Sequence, residues 1–304
     1  MVSYKSLPTY GKIIYITVAV YLLTQVWNLV TLLFCLSGMS WHGWFALPAN
    51  LNDFMLSPWT LLTYMFCHSD LSMDPFHILF NMLWLWWFGQ FFMQHHTARQ
   101  MVAFYLCSGV AAGLFFLLCY NVFPYFVLER YISNVVGASG AIFALIVAVA
   151  MRQPDQTLGL NLFVKVVWIK MKWLAAIVLA INLLCYSAGN DGGTVCHIGG
   201  AIFGLIYGLM ERRGTDITRW AINAWEAVTK WAKNLGRPQL KATTGGRRNP
   251  VGAERNRDMA YNAERRSHEE QIDAILEKIS RKGYDALSEA EKQILFDASR
   301  RKRK

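Results

Sequence analysis

The sequence predicts an all-α polytopic membrane protein, in which a bundle of six transmembrane helices is followed by a short helical cytoplasmic tail. Two observations lead to this fold class. The 304-residue chain is 54% hydrophobic and only 16% charged, whereas soluble domains carry about 25% charged residues. Residues 1–212 hold nine Lys or Arg against seven Asp or Glu, while the remaining residues hold twenty-one against thirteen. This composition excludes a disordered chain and argues against an ordinary soluble enzyme.

Six apolar runs are candidates for membrane spans, since a bilayer core about 30 Å thick requires about 20 apolar residues per helix. The first run is too long for a signal peptide, and no small-residue cleavage site follows it closely. The predicted spans cover residues 12–36, 76–94, 99–121, 137–151, 166–187 and 195–211.

The basic residues between the spans predict their orientation, because Lys and Arg are retained on the cytoplasmic side. One side of the predicted bundle carries only Arg130. The other side carries Lys5, Lys12, Arg99, Arg152, Lys165, Lys170, Lys172, Arg212 and Arg213. Both chain termini are therefore predicted to be cytoplasmic.

The long first loop, residues 37–75, faces the outer side and contains no Lys or Arg. It is rich in apolar and aromatic residues, including Trp41, Trp44, Phe45, Leu47, Phe54, Met55 and Trp59. Because Trp is favoured at the boundary between lipid and water, we predict that this loop lies in the membrane interface.

The fourth span is unusually short. Residues 134–137 are typical of extended backbone, and a helix from Ser139 to Arg152 would be about 20 Å long. That leaves about 10 Å of the hydrocarbon core unfilled on the outer side. Irregular backbone at that depth must be surrounded by protein or line a water-filled cavity. Ser139 is therefore predicted at the floor of a cavity that opens outward.

Two polar residues on different spans are candidates for a catalytic pair. Ser139 lies in the motif Gly137-Ala138-Ser139-Gly140, at the start of a helix whose free N–H groups could stabilise an oxyanion. His197 precedes a glycine stripe on span six, and packing of two small-residue stripes would place it beside Ser139. The stripes are Gly140, Ala144 and Ala148 on span four, and Gly200, Gly204 and Gly208 on span six. Alternatively, Ser139 belongs to a packing motif and His197 is hydrogen-bonded within the bundle.

Three further side chains could support this pair. His77 and Asn81 share one face of span two and could donate to an oxyanion, or they bond neighbouring helices. Phe143 on span four could stack on the imidazole of His197, or it belongs to the core.

The acid of a Ser–His–Asp triad is missing from this pattern. The acidic residue nearest to His197, Asp191, lies in the loop before span six. The sequence therefore supports a Ser–His dyad. Asn182 on span five matches no constellation, and we interpret it as structural.

These residues together resemble the rhomboid family of intramembrane serine proteases, in order, spacing and topology, over residues 10–212. The motifs are His77-Ile78-Leu79-Phe80-Asn81, Gly137-Ala138-Ser139-Gly140 and His197-Ile198-Gly199-Gly200. By resemblance, Ser139 is the nucleophile and His197 the general base, and the oxyanion site comprises His77, Asn81 and the backbone N–H of Ser139. Supporting roles are implied for Phe143, Gly137, Gly140 and Gly200. One departure concerns the first loop, where Trp41 and Trp44 stand without the Arg that many relatives carry beside Trp.

The resemblance implies an endopeptidase whose partners are membrane-protein substrates with a helix-destabilised transmembrane segment, together with the lipid bilayer. No nucleic-acid partner is expected, and the oligomeric state stays open. The chemistry requires no cofactor and no metal, and we interpret His95-His96 as a solvated loop end. The resemblance also implies a multi-pass protein of the bacterial inner membrane.

The chain is predicted to divide into a membrane domain, residues 1–212, and two polar segments. Residues 213–262 hold an amphipathic helix, over 216–235, and a basic linker. Residues 263–304 form a short cytoplasmic extension of two helices, the second beginning with the capping box Ser288 to Glu291.

Two other functions remain as alternatives. A non-catalytic relative would bind membrane helices without cleaving them, and the presence of both Ser139 and His197 argues against it. A small-solute transporter would carry inverted repeats and charged residues at the membrane midplane, and the sequence shows neither.

Overall fold

The computed structural model describes residues 4–36, 40–69, 75–161, 166–184, 191–234, 271–280, 283 and 287–294. The predicted linker over residues 236–262 and the last ten residues of the chain lie outside this set. The chain divides into two units, Met1–Arg237 and Pro238–Lys304, which are described separately.

The first unit consists mainly of helices, as the composition predicts. The described residues include four long helices, and several shorter helices lie in the loop between the first two of them. The helices are α1 (Thr9–Leu33), α2 (His42–Phe45), α3 (Leu51–Leu56), α4 (Thr60–Thr63), α5 (Pro75–Met93), α6 (Ala98–Val122), α7 (Pro124–Glu129), α8 (Ser139–Arg152), α9 (Met171–Leu184), α10 (Asp191–Arg212) and α11 (Arg219–Asn234).

Three of these helices, α1, α6 and α10, are long and apolar enough to cross a membrane, and α8 and α9 are shorter apolar helices. Helix α5 is 19 residues long. Large apolar side chains of α1 such as Leu23 and Leu33 are exposed, as expected for a surface that contacts lipid rather than water. The fold is thus an all-α membrane bundle, and the count of six spans stays a prediction.

Helix α8 lies at the centre of the bundle, where it packs against α5, α6, α9 and α10. Nearly every side chain from Gly140 to Ala150 is buried. The predicted extended segment is also confirmed, because Asn134–Val135 (β2) pairs antiparallel with Leu47–Pro48 (β1) just before α8. The bundle therefore surrounds the short helix and the irregular backbone that leads into it, as an apolar environment requires.

A β-hairpin precedes α9, and it corrects the predicted fifth span. Strand β3 (Thr157–Asn161) pairs with β4 (Val166–Lys170), so α9 begins at Met171 and not at residue 166. The alternation of half-buried Ile169 with exposed Trp168 and Lys170 shows the period of a strand. Mean hydropathy does not distinguish such a strand from a helix.

Hydrogen bonds from Lys172 and Lys170 hold the pKa of the nearby Asp155 carboxyl below its usual value.

The loop between α1 and α5 is anchored by its own backbone. Trp59 Nε1 donates to the carbonyl of Trp44 (2.8 Å), and Thr63 Oγ1 donates to that of Phe45 (3.0 Å). Both Trp44 and Trp59 are exposed, as expected at a membrane interface. Trp41, in contrast, is buried within the protein, so only part of the loop has an exposed apolar surface.

The second unit contains two described helices, at residues 271–280 and 289–294. The predicted capping box is present: Glu291 N donates to Ser288 Oγ (3.3 Å), and Ser288 N donates to Glu291 Oε2 (2.7 Å). Lys278 Nζ lies 2.8 Å from Glu291 Oε1 and joins the two helices. Ile275 and Leu287 are buried.

Candidate active site

The helices α8 and α10 pack backbone against backbone, which positions the candidate pair. A Cβ on Gly200 would lie 1.9 Å from the carbonyl oxygen of Gly140, and one on Gly204 would lie 2.3 Å from that of Ala144. Such close approach is possible only between small residues. The third predicted contact differs, because Gly208 faces the side chain of Met151. Gly140 also packs against α6, where its Cβ would lie 2.8 Å from Ala112 Cβ.

Ser139 is the first residue of α8, and the chain enters it from the extended segment. Gly137 has φ +127°, a conformation that side-chain-bearing residues rarely adopt. Its N–H donates to the carbonyl of Tyr64 (2.9 Å), which fixes the backbone on the approach to the helix. Since the first N–H groups of a helix have no intrahelical acceptor, the Ser139 N–H is available to a ligand.

His77 and Ser139 meet at Gly137. A Cβ built on Gly137 would lie 3.0 Å from His77 Nε2 and 3.6 Å from Ser139 Oγ. The absence of a side chain at this position therefore leaves room for both groups around one point. On the other side of the ring, His77 Nδ1 lies 3.0 Å from Ser69 Oγ.

Asn81 lies one turn after His77 on α5 and is 6% exposed. Its Nδ2 is buried, and within the described part of the chain it has no hydrogen-bond partner. A buried donor of this kind requires an explanation, because unpaired buried polar groups are rare in folded proteins. One such explanation is that this amide donates a hydrogen bond to a negatively charged oxygen when a ligand is bound.

His197 is held from two directions. Its ring stacks on Phe143, with ring centroids 4.1 Å apart and planes inclined by 5°. Its Nδ1 lies 2.5 Å from Oδ1 of Asn182 on α9. The sequence places Asn182 in no constellation and does not predict this contact, because the contact joins two helices whose relative register no sequence spacing sets. Among the described residues, no hydrogen bond joins Ser139 and His197; such bonds often form only in the substrate complex.

A cavity of about 420 Å³ reaches His77 from the end of the bundle where α8 and α10 begin. Its lining includes His77, Ser69, Val136 and Asp191. Asp191, the acid nearest to His197 in sequence, accepts a hydrogen bond from Tyr125 OH (3.1 Å). Water can therefore approach His77 and the extended segment that leads into α8.

The opposite end of the helices carries a polar contact that corrects the interpretation of His96 as a solvated residue. The His96 side chain is 5% exposed, and its Nε2 lies 3.0 Å from Glu211 Oε1. The ring also stacks on Phe92, with centroids 3.8 Å apart. Tertiary packing buried this residue although the short loop around it is polar. Within the described residues, no group of three or more His, Cys, Asp or Glu is placed to hold a metal ion.

Comparison with known families assigns most of the bundle and part of the tail. The family model of the rhomboid domain matches residues 56–214, which is just over half of the chain. This range includes every candidate site residue described above. A second model, described as a family of unknown function (DUF6576), matches residues 256–301. No curated protein matches the chain.

Proposed function

Because this chain belongs to the rhomboid family and is an integral membrane protein, we propose that it is a serine endopeptidase that cleaves transmembrane segments of other membrane proteins. The strongest support is the approach of Ser139 Oγ and His77 Nε2 to the same point above Gly137. One turn farther along α8, Phe143 stacks on His197. A hydroxyl at a helix N-terminus near two imidazoles is suited to acyl transfer, and it is costly in a membrane without such a use.

In the proposed reaction, His197 Nε2 takes the proton of Ser139 Oγ as this oxygen attacks the carbonyl carbon of the scissile peptide. His197 then delivers the proton to the leaving amine, the C–N bond breaks and an acyl-enzyme remains on Ser139. A water molecule from the cavity, deprotonated by His197, attacks the acyl carbon. The carboxylate product leaves, and Ser139 regains its proton.

The oxyanion of the tetrahedral intermediate would be bound by Asn81 Nδ2, His77 Nε2 and the Ser139 N–H. The buried and unpartnered Asn81 donor supports this role. The contact of Ser69 Oγ with His77 Nδ1 supports it as well, because a hydroxyl that donates to Nδ1 leaves the proton on Nε2. One such donor contributes about 10²–10³-fold to kcat in serine proteases.

The proposed substrates are membrane proteins with a transmembrane segment that unwinds readily. Unwinding a helix in lipid leaves backbone groups without partners, which is unfavourable. Segments with Gly, Ala or Pro near the outer membrane surface should therefore be preferred. We further propose six spans with both termini in the cytoplasm, as the distribution of basic residues indicates. The bacterial inner membrane is proposed from the family resemblance alone.

Labelling with a fluorophosphonate probe tests the nucleophile. We expect the detergent-purified protein to be labelled and Ser139→Ala to remain unlabelled. Ser108→Ala is a matched control, because this buried hydroxyl donates to the Tyr105 carbonyl in α6 (3.1 Å); this variant should label like the native chain. Cleavage of a model transmembrane substrate should be lost in both Ser139→Ala and His197→Ala.

A non-catalytic rhomboid-like protein that binds membrane helices is the alternative. The lack of a hydrogen bond between Ser139 and His197 among the described residues is the observation that favours it. Under this alternative, a substrate helix would bind, but the native protein would show neither probe labelling nor cleavage. That combination would exclude the protease.

A further inference from the structure

We propose that Asn182 is a positioning residue that holds the imidazole of His197 in the tautomer required of a general base. This inference rests on the proposed function for its catalytic consequence, although the tautomer itself can be measured independently. Ser139 and His197 would then work with an amide that orients the imidazole in the place of the usual carboxylate, and Asn182 takes no proton.

Two contacts together determine how the His197 ring lies. The parallel stack on Phe143 sets the plane of the ring. Stacking alone permits rotation within this plane, because a flat aromatic surface has no preferred in-plane direction. The 2.5 Å contact between Nδ1 and Asn182 Oδ1 removes that freedom, so Nδ1 faces α9 and Nε2 is left for another partner.

The chemistry of the amide then decides where the proton is. A carbonyl oxygen can only accept a hydrogen bond, so a neutral imidazole that contacts it through Nδ1 must carry its proton on Nδ1. Nε2 then has a free lone pair and can accept the Ser139 proton. The opposite tautomer would place a proton on Nε2 and block this transfer, as occurs when the orienting acid of a serine protease triad is replaced.

A neutral amide is also suited to the location of the contact. Asn182 lies within an apolar helix, where an ionised carboxylate would be costly. Its Nδ2 is buried and has no hydrogen-bond partner within the described part of the chain. The described contact of this side chain is therefore made by its oxygen, the atom that the inference requires.

Nitrogen-15 NMR of histidine-labelled protein tests the tautomer directly. The chain has seven histidines, and the His197→Ala spectrum identifies the signals of His197. We expect the native protein in micelles at pH 8 to carry the proton on Nδ1. In Asn182→Leu, which has a similar volume, we expect His197 to populate the Nε2–H form. A native proton on Nε2, or a tautomer unchanged in Asn182→Leu, would overturn the proposal.

Kinetics test the catalytic consequence. Asn182→Leu should lower kcat at least about tenfold with KM unchanged. Leu183→Ala, at an exposed position in the same turn of α9, should retain native kcat. A purely structural role would instead lower the unfolding temperature of Asn182→Leu without altering the tautomer. If the tautomer is as expected and the native protein cleaves nothing, the proposed protease fails while the positioning contact stands.

Discussion

Gly137 is the residue at which backbone conformation and candidate chemistry meet. Its φ of +127° is unfavourable for a residue with a side chain, and a Cβ there would touch His77 Nε2 at 3.0 Å. The residue thus sets both the direction in which the chain enters α8 and the space around Ser139. A side chain at this position would conflict both with the local backbone conformation and with the neighbouring imidazole of His77.

We expect Gly137→Ala to lower cleavage at least about tenfold, because displacement of reacting groups by about 1 Å has large effects on rate. The backbone strain should also lower the free energy of unfolding by about 1–3 kcal/mol. Gly43→Ala is the matched control, since a Cβ at Gly43 has no atom within 4 Å. Substrate cleavage and thermal unfolding of both variants provide the check, and equal activity would contradict the role given to Gly137.

Sequence patterns indicate candidate site residues more readily than the contacts between them. Ser139, His197, His77 and Asn81 stood out because polar groups are few in the apolar runs and because three short motifs occur on the expected helices. The contact between Asn182 and His197 could not be predicted in the same way. It depends on how α9 is rotated against α10, and that rotation follows from packing that involves many side chains.

At the scale of elements, the packing of α8 against α10 depends on two glycines. We expect Gly200→Ala to be the most destabilising of three substitutions, because its Cβ would overlap the Gly140 carbonyl at 1.9 Å. Gly204→Ala should follow, with a contact of 2.3 Å to the Ala144 carbonyl. Gly208→Ala meets only the flexible Met151 side chain and should be tolerated best. Unfolding temperatures in detergent would reveal this order, and a reversed order would contradict the helix pairing.

Helix α11 presents an apolar face that we expect to lie on the lipid surface. Trp220, Val228 and Trp231 are exposed on this face, and Lys230 lies on the other. Glu226 pairs with Arg99 of α6, so the helix is attached beside the bundle. An exposed face with two Trp is stable at a membrane interface and unfavourable in water.

The position of α11 can be measured in a variant whose own six cysteines are replaced by alanine. A fluorophore is attached at Val228→Cys, and Lys230→Cys carries the label in the control. In vesicles of phosphatidylethanolamine and phosphatidylglycerol, brominated acyl chains should quench the label at residue 228. Aqueous iodide should quench the label at residue 230. Equal quenching of both labels by iodide would show that α11 does not contact lipid through this face.

Element boundaries were predicted well where the periodicity was helical and poorly where it was not. The start of α8 at Ser139 and the helix at Arg219–Asn234 agree with the sequence. Strand β4 falls within the predicted fifth span, because Val, Ile and Trp are apolar in a strand and in a helix alike. Only the alternation of side chains along β4 separates the two possibilities.

The whole bundle has different polar groups at its two ends. One end of α8 carries Ser139 and the cavity, and the other carries Arg152, whose Nε lies 3.7 Å from Glu211. His96 contacts the same carboxylate at 3.0 Å. The polar groups are therefore divided between a site at one end and an ion-pair cluster that joins helix ends at the other, with a buried apolar core between them.

Because α8 is short, its length determines how deep in the bilayer Ser139 lies. Its 14 residues rise about 21 Å, which is about 9 Å less than the hydrocarbon thickness. A substrate helix that lies alongside α8 would therefore contact Ser139 about six residues below the outer edge of the hydrocarbon core. Sliding a Gly-Pro pair four residues along such a substrate helix, with its membrane boundary unchanged, should abolish cutting at the old peptide bond without creating an equally good one at the new depth. Mass spectrometry of the fragments identifies the cleaved bond. If the cleavage position moved together with the Gly-Pro pair, the local sequence and not the depth in the membrane would select the bond.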